Sequence, residues 1–397
     1  MKILLVSSYL PFPLYSGGHV RLYNLIKQLS KKHEITLICE KRNYQTEEDV
    51  LEIKKFCKKV KIINRKKQWS IANILKTGFS LYPFIMQGHS NVKMRKLISE
   101  ALVIENFDVL HVETFYVMQN LPKEAFDLPV ILVEHNVEYL VYKRFLDKAP
   151  FFVKPLLAID VLKIKSWEQR FWKKATKLVA VSNKEKGIMK RKDTVVVPNG
   201  VDVDKYKVSS SKFKDNKSEF TILFIGDFKW MQNRDSMEWI LKEIWPEIKS
   251  KVKSQKLKIK LKLWVVGKNI PEKLKLMGGR DVVFDENAPK ETEKIYEKAD
   301  ILLSPIRIGG GTQYKILESM ASGVLVITTQ LGKEGIIASH GEILVGQTVD
   351  EIAKQAVKGI ADNKLRFSTI KKARETIEDN YSWEKITNVL ESVYLNR

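Results

Sequence analysis

The sequence predicts an α/β protein made of two doubly wound, mostly parallel sheets. Three observations carry that expectation. Short, unbroken apolar runs such as Ile3–Val6 and Ile301–Leu303 lack polar alternation, as expected of strands covered on both faces. Between such runs lie stretches with helical apolar spacing, as in Val20, Leu22, Leu25, Ile26 and Leu29. The alternation runs once, is interrupted by the turn formers Pro198, Asn199 and Gly200 and by the polar tract Ser209–Ser218, and then begins again.

Taken in order, the first alternation places strands at Lys2–Ser8, Glu34–Cys39, Asp108–Val112, Pro129–Glu134, Leu178–Ser182 and Thr194–Val197. The second places them at Thr221–Ile225, Leu261–Val266, Val282–Phe284 and Ile301–Leu303, with a last buried strand closing the stretch that ends at Thr329. The expected division is a Rossmann-like half over 1–203, a second over 204–378 and a terminal helix over 379–397. The two halves are expected to face each other across a ligand-binding cleft. A chain of 397 residues with 44% hydrophobic content is ample for such cores.

No apolar run approaches the roughly 20 residues needed to cross a bilayer, and MKILLVSSYL reads as a first strand rather than a leader. Two cysteines, Cys39 and Cys57, make neither a disulfide framework nor a metal cluster, which suits a reducing cytoplasm. The net charge of +22 is uneven: residues 1–200 hold 35 basic and 19 acidic residues (+16), and the remainder 34 and 28 (+6). Between Ile53 and Thr77 there are nine Lys or Arg and no acid, interleaved with Phe56, Val60, Ile62, Ile63, Trp69, Ile71 and Ile74. That pattern suits an anionic membrane surface, where each basic residue contributes about 1 kcal/mol; the plain alternative is a solvated lysine-rich face. The expectation is a cytoplasmic protein, peripheral on the inner face of the membrane. Nucleic acid would feel the same charge, but no RRM-like, KH-like or zinc-finger pattern accompanies it, so no nucleic-acid partner is expected.

The stretch from Ala299 to Thr329 reads as strand, glycine-rich loop, helix and strand. Gly309, Gly310 and Gly311 allow close approach of a ligand, and Thr312 is the expected N-cap. At 100° per residue Thr312, Lys315 and Glu318 share one side of the helix, while Ile316, Leu317, Met320 and Ala321 take the other. Free helix N–H groups with Lys315 suit a phosphate, and Glu318 can accept from two neighbouring sugar hydroxyls. The pattern therefore points to a nucleotide-sugar site.

In the first half, Gly17 and Gly18 open a helix after the first strand, where open α/β sheets bind anions. His135 follows the strand Pro129–Glu134, flanked by Glu134 and Glu138, either of which sets its tautomer or does nothing functional. His111 and Glu113 hold the matching place after an earlier strand and are weaker candidates for acceptor contact.

The central stretch resembles the C-terminal donor-binding signature of the family-4 retaining glycosyltransferases, which have the GT-B fold. That signature carries two glutamates separated by seven residues and then a Met-Ala-x-Gly turn. Glu318 matches the second, ribose-holding glutamate, and Met320-Ala321-Ser322-Gly323 matches the turn. The first glutamate falls at Gly310, and a subset of the family resembles this chain in having Gly-Gly-Gly-Thr there. Val195–Tyr206 resembles the interdomain crossing, and Tyr381–Leu395 the helix that returns to the first domain. Many members place an arginine just after the glycine equivalent to Gly226 and a lysine several residues later, both on the diphosphate. Here those places hold Asp227 and Asn233, leaving Lys229, Arg234, Arg307 and Lys315 as substitutes, with Lys315 favoured.

The resemblance implies a hexosyltransferase-type enzyme moving a sugar from a nucleotide diphosphate sugar to a glycan or lipid-linked hydroxyl, with retention, in surface polysaccharide, lipopolysaccharide or glycolipid assembly. His135 and Lys315 become the catalytic candidates. Gly17, Gly18, Gly226, Arg307, Gly310, Gly311, Thr312, Lys315 and Glu318 become the donor-binding ones. No metal or other cofactor is expected, because Asp202-Val-Asp204 is the sole Asp-x-Asp noted and it reads as a turn in the crossing segment. Alternatives are a nucleotide-sugar epimerase, a soluble disaccharide synthase or a nucleic-acid-binding protein.

Overall fold

The fold is described from a computed structural model, which covers residues 1–215, 217–289, 291–308, 312–339 and 341–396, with the backbone alone for residues 72 and 148. The chain divides into two compact units, Met1–Pro198 with Ile386–Arg397, and Asn199–Lys385. The sequence placed the first boundary at 203 and the return at 379. The crossing turn explains the difference, because Val201 already bridges to Ser382 of the second unit. A Cβ on Gly200 would stand 2.7 Å from the Trp383 ring, so glycine alone admits that approach.

The first unit is built on β1 (Lys2–Ser7), β2 (Glu34–Lys41), β3 (Lys59–Asn64), β4 (Val109–Glu113), β5 (Val130–Glu134), β6 (Lys177–Ala180) and β7 (Val195–Val196). They form one sheet in the order β3-β2-β1-β4-β5-β6-β7, and every pair is parallel. Parallel neighbours need helical crossovers, which bury both faces, and β4 and β5 are buried at every position.

The second unit repeats the plan with β8 (Glu219–Ile225), β9 (Lys260–Val266), β10 (Val282–Asp285), β11 (Ile301–Ser304), β12 (Leu325–Thr328) and β13 (Leu344–Val345), ordered β10-β9-β8-β11-β12-β13. Its two cores show the period-2 rule directly. Ile222, Phe224, Ile301 and Leu303 pack on one face, Leu223 and Leu302 on the other. In each sheet the order reverses beside the first strand, between β1 and β4 and between β8 and β11. That switch point opens a crevice at the carboxyl ends of the strands.

The basic segment 53–77 is not one surface element. It closes a helix (Glu47–Lys54), forms the edge strand β3 and opens helix α2 (Ile71–Phe79), with α1 being Gly17–Leu29. Part of its charge is spent locally, Lys58 on Glu34 and Lys59 on Glu105. Beyond it lie α3 (Glu138–Lys148) and α4 (Lys154–Lys174). Among the described residues, no helix is long and apolar enough to cross a membrane.

Candidate functional site

In the second unit the helices that matter are α5 (Met231–Trp239) and α6 (Tyr314–Ala321). As expected, Ile316, Leu317, Met320 and Ala321 are wholly buried in the core, and this turns Lys315 and Glu318 to the other side. The N-cap falls on Gln313, so Thr312 does not cap the helix. Its hydroxyl points instead to the Gly335 carbonyl at 3.5 Å. Gly310 and Gly311 lie outside the described residues. Gly323 closes the Met-Ala-Ser-Gly turn with φ +69°, a left-handed conformation that favours glycine.

Lys315 is half-buried, with Nζ 4.9 Å from the centre of the Phe224 ring. It donates to Asn233 Oδ1 at 2.9 Å. Among the described residues no carboxylate pairs with it, and burial pushes its amine down to about 8. Asn233 is itself fixed, its Nδ2 donating to the Asp227 carbonyl at 2.8 Å. Gly226 is needed here, because a Cβ at that position would stand 2.6 Å from Asn233 Nδ2. Asp227 uses its carboxylate to shape the loop, accepting from Lys229 N–H and from Asn269 Nδ2, both at 2.9 Å. The two positions that depart from the family pattern therefore form a scaffold that aims Lys315. Arg307 is already neutralised by Asp235, at 3.1 and 2.9 Å, and lies over Trp239. Lys229 and Arg234 are exposed.

Glu318 is held by two residues the sequence did not mark. Tyr206 O–H donates to Oε1 at 3.0 Å and Tyr296 O–H to Oε2 at 2.8 Å. Each carboxylate oxygen has two lone pairs, so one on each is left for a ligand hydroxyl. Burial raises this carboxyl above its usual range, against the pull of the tyrosine hydroxyls. Asp202 folds the turn expected of it, accepting from the N–H groups of Asp204 and Lys205 at 3.1 and 3.0 Å.

In the first unit Gly17 and Gly18 do open α1, and His135 comes against them. A Cβ on Gly18 would lie 3.3 Å from His135 Nδ1. Neither Glu134 nor Glu138 holds the imidazole, so the second of the two readings offered for them applies. Glu134 accepts from Trp172 Nε1, and Glu138, whose backbone N–H is capped by Glu168, has its carboxyl lifted to about 7 by burial. The partner is Glu113, one strand over, which accepts from His135 Nε2 and, at 3.0 Å, from His111 Nε2. A carboxylate can only accept, so both Nε2 atoms carry protons, and His111 Nδ1 accepts from the Tyr394 hydroxyl. Burial alone would raise the Glu113 carboxyl, but His135 and His111 outweigh it and hold it well below the usual carboxylate range. His111 and Glu113 are completely buried, so the acceptor contact suggested for them is not what their geometry offers. They brace His135.

A pocket of about 330 Å³ opens beside His135 and Gly18. Sequence reading missed other groups of its lining, Arg42, Arg65 and His19. Arg42 had a signal, since it follows the end of a recognisable strand; Arg65 was hidden because β3 reads as a run of charge. Among the described residues no group of three or more His, Cys, Asp or Glu could hold a metal ion.

Comparison with known proteins bears on the fold and the family. The chain is 25% identical over 405 residues to an uncharacterized 44.6 kDa protein in the cps region of Klebsiella pneumoniae, covering 97% of each. Its fold matches that of sucrose-phosphate synthase from Thermosynechococcus elongatus, at TM-score 0.66 and 14% identity over 100% of this chain and 99% of that one. It also matches Anabaena HepE in complex with UDP, at TM-score 0.65 and 13% identity over all of both chains. The family model "Glycosyltransferase Family 4" matches residues 15–205, and "Glycosyl transferases group 1" matches residues 219–362. With one model on each Rossmann-like unit and the GT-B fold throughout, the chain belongs to the family-4 glycosyltransferases.

Proposed function

We propose that this glycosyltransferase moves a sugar from a nucleoside diphosphate sugar to a hydroxyl of a glycan or lipid-linked acceptor, with retention, in the assembly of a surface polysaccharide or related glycolipid. The observation that carries the donor class is Lys315. It is a half-buried cation with no carboxylate partner among the described residues, one helical turn from a carboxylate that still has free lone pairs. Such a pair fits a diphosphate and a ribose diol on one ligand. HepE, alike in fold, was solved with UDP, which makes a uridine nucleotide the first donor to try. The cps-region relative supports the capsule-like setting.

In this reading the anomeric C–O bond breaks with its electron pair remaining on the phosphate oxygen. Lys315 and the N–H groups at the start of α6 draw off that growing charge. The acceptor hydroxyl attacks from the same face, and its proton passes to the leaving phosphate. His135, its Nε2 proton pinned by Glu113, leaves Nδ1 as an acceptor for a substrate hydroxyl. No metal is invoked. Nucleoside diphosphates and their sugars, screened by thermal shift, test the donor site. Glu318→Ala should abolish the response with the fold intact, and unchanged donor affinity in that variant would remove the assignment. Incubation with donor alone separates an epimerase, which needs no acceptor.

The membrane partner is better supported by apolar exposure than by charge alone. Lys163 donates to the carbonyls of Thr77 and Ser80 at 2.6 and 2.8 Å, and Tyr82 stacks on Trp167 at 4.6 Å, so α2 and α4 share one surface. On it Phe79 is 92% and Leu81 81% exposed, and Phe151, just ahead of α4, is 84% exposed, with Lys76, Lys154 and Lys165 on the same elements. We assign this face to a peripheral contact with anionic lipid.

A further inference from the structure

The first unit ends its strands in an unusual row. The residue after β1 is Ser8, after β2 Arg42, after β3 Arg65, after β4 Thr114 and after β5 His135, and all five line the one 330 Å³ pocket. The carboxyl edge of a parallel sheet is where ligands bind, and here that edge presents two guanidinium groups. Among the described residues neither forms an ion pair with a carboxylate. Arg65 is aimed by a buried chain: its Nη2 donates to His89 Nε2 at 3.0 Å, and His89 Nδ1 donates to Glu40 Oε2 at 2.9 Å. Desolvation of Arg65 and repulsion from Arg42 both work against its charge. His19, beside them, is pushed down to about 4 by burial, then by Arg42 and His135, and is neutral at physiological pH.

One polar atom at the pocket also lacks a hydrogen bond among the described residues. Thr114 Oγ1 is buried, and Thr114 as a whole is 2% exposed. A buried hydroxyl left unpaired costs free energy that a ligand could recover. The one carboxyl in the lining, Glu138, is lifted to about 7 by burial and so opposes an anion only weakly near neutral pH.

We propose that this pocket is the acceptor site and that the acceptor carries an anionic group, a phosphate ester or a sugar carboxylate, held between Arg42 and Arg65. The assignment rests on the glycosyltransferase reading for the word acceptor, but the anion site itself does not depend on it. Both chemistries offer a planar or tetrahedral set of charged oxygens to two forks of N–H donors.

The chain has six histidines, so side-chain nitrogen NMR of the full-length protein, labelled at histidine, reads the pocket directly. Methyl phosphate, glucuronate and glucose are titrated in turn. The anions should move the His19 and His135 signals saturably while glucose does not, and the tighter of the two assigns the acceptor's charged group. Arg42→Gln, an exposed change that leaves the fold intact, should weaken the anion about 10-fold, and Arg42→Gln/Arg65→Gln should abolish the response. Lys315→Gln should lose nucleoside diphosphate binding and keep the histidine response. A wild-type chain that binds no nucleoside diphosphate yet shows the arginine-dependent response overturns the donor reading and upholds this one. Anions that leave His19 and His135 unmoved, or that bind equally well without the two arginines, overturn it.

Discussion

Replacing Lys315 by Met should stabilise the ligand-free chain and at the same time weaken its hold on a nucleoside diphosphate. Burial takes the amine from its ordinary 10.5 to about 8. At 1.36 kcal/mol per pKa unit, keeping that charge in place below pH 8 costs up to about 3 kcal/mol. Methionine removes the charge and keeps an aliphatic chain against Phe224. It forfeits the hydrogen bond to Asn233, about 1 kcal/mol, and the contact over the Phe224 ring, about 0.5–1 kcal/mol. The balance is a gain of about 1–2 kcal/mol, or a few degrees in melting temperature for a unit of this size.

The pH dependence carries the same signature. Between pH 8 and 10.5 the unfolded chain holds a proton on this amine that the folded chain has lost, so ligand-free stability rises with pH across that window. Diphosphate binding reverses the preference, since the anion needs the protonated amine. Affinity should be flat below pH 8 and fall about tenfold per unit above it, and Lys315→Met should cost about 10- to 100-fold at pH 7. Melting curves and calorimetric titrations of wild type and variant at pH 7 and 9 measure both effects. A melting temperature that stays put or drops, together with nucleotide binding indifferent to pH, would refute the reasoning and make Lys315 an ordinary structural lysine.

Three further outcomes follow from the same geometry. Glu113→Gln leaves one imidazole Nε2–H facing an amide N–H, so turnover should fall about 10- to 100-fold with nucleotide affinity unchanged, read from kcat and a separate binding titration. Gly226→Ala drives a methyl to within 2.6 Å of Asn233; unfolding in denaturant should show a loss of about 1–3 kcal/mol, and nucleotide binding should weaken because Lys315 loses its guide. Flotation with anionic vesicles should recover the wild-type chain and far less of Phe79→Ser/Leu81→Ser/Phe151→Ser. Equal recovery would return that face to being merely solvent-exposed.

Most of the fold was legible because parallel sheets write themselves as unbroken apolar runs. β1, β4, β5, β8 and β11 are strands that the composition alone marks. β3 was not, and the reason is its place at the sheet edge: only Ile63 is buried, while Lys59 and Lys61 sit at the less buried positions. Lysines on an edge strand guard it against pairing with another chain, and in one dimension they look like a run of solvated charge. β13 is two residues long, too short for any periodicity.

The site was legible only where its partners lie within one helix. Lys315 and Glu318 follow from an angular argument that needs no tertiary information. What holds them does not: Tyr206 meets Glu318 across 112 residues and Asn233 meets Lys315 across 82. The same limit concealed Glu113 as the partner of His135, because Glu134 and Glu138 are nearer in sequence while β4 is nearer in space. The departures at Asp227 and Asn233 show why pattern matching stops short as well. A missing cation at a loop position looks like a lost function when only the loop is compared. In the folded unit the loop's carboxylate and amide fix its shape and orient a lysine from α6. What a diphosphate requires is positive charge at a point in space with too little water to satisfy it, and on the proposed reading Lys315 supplies it from a different element.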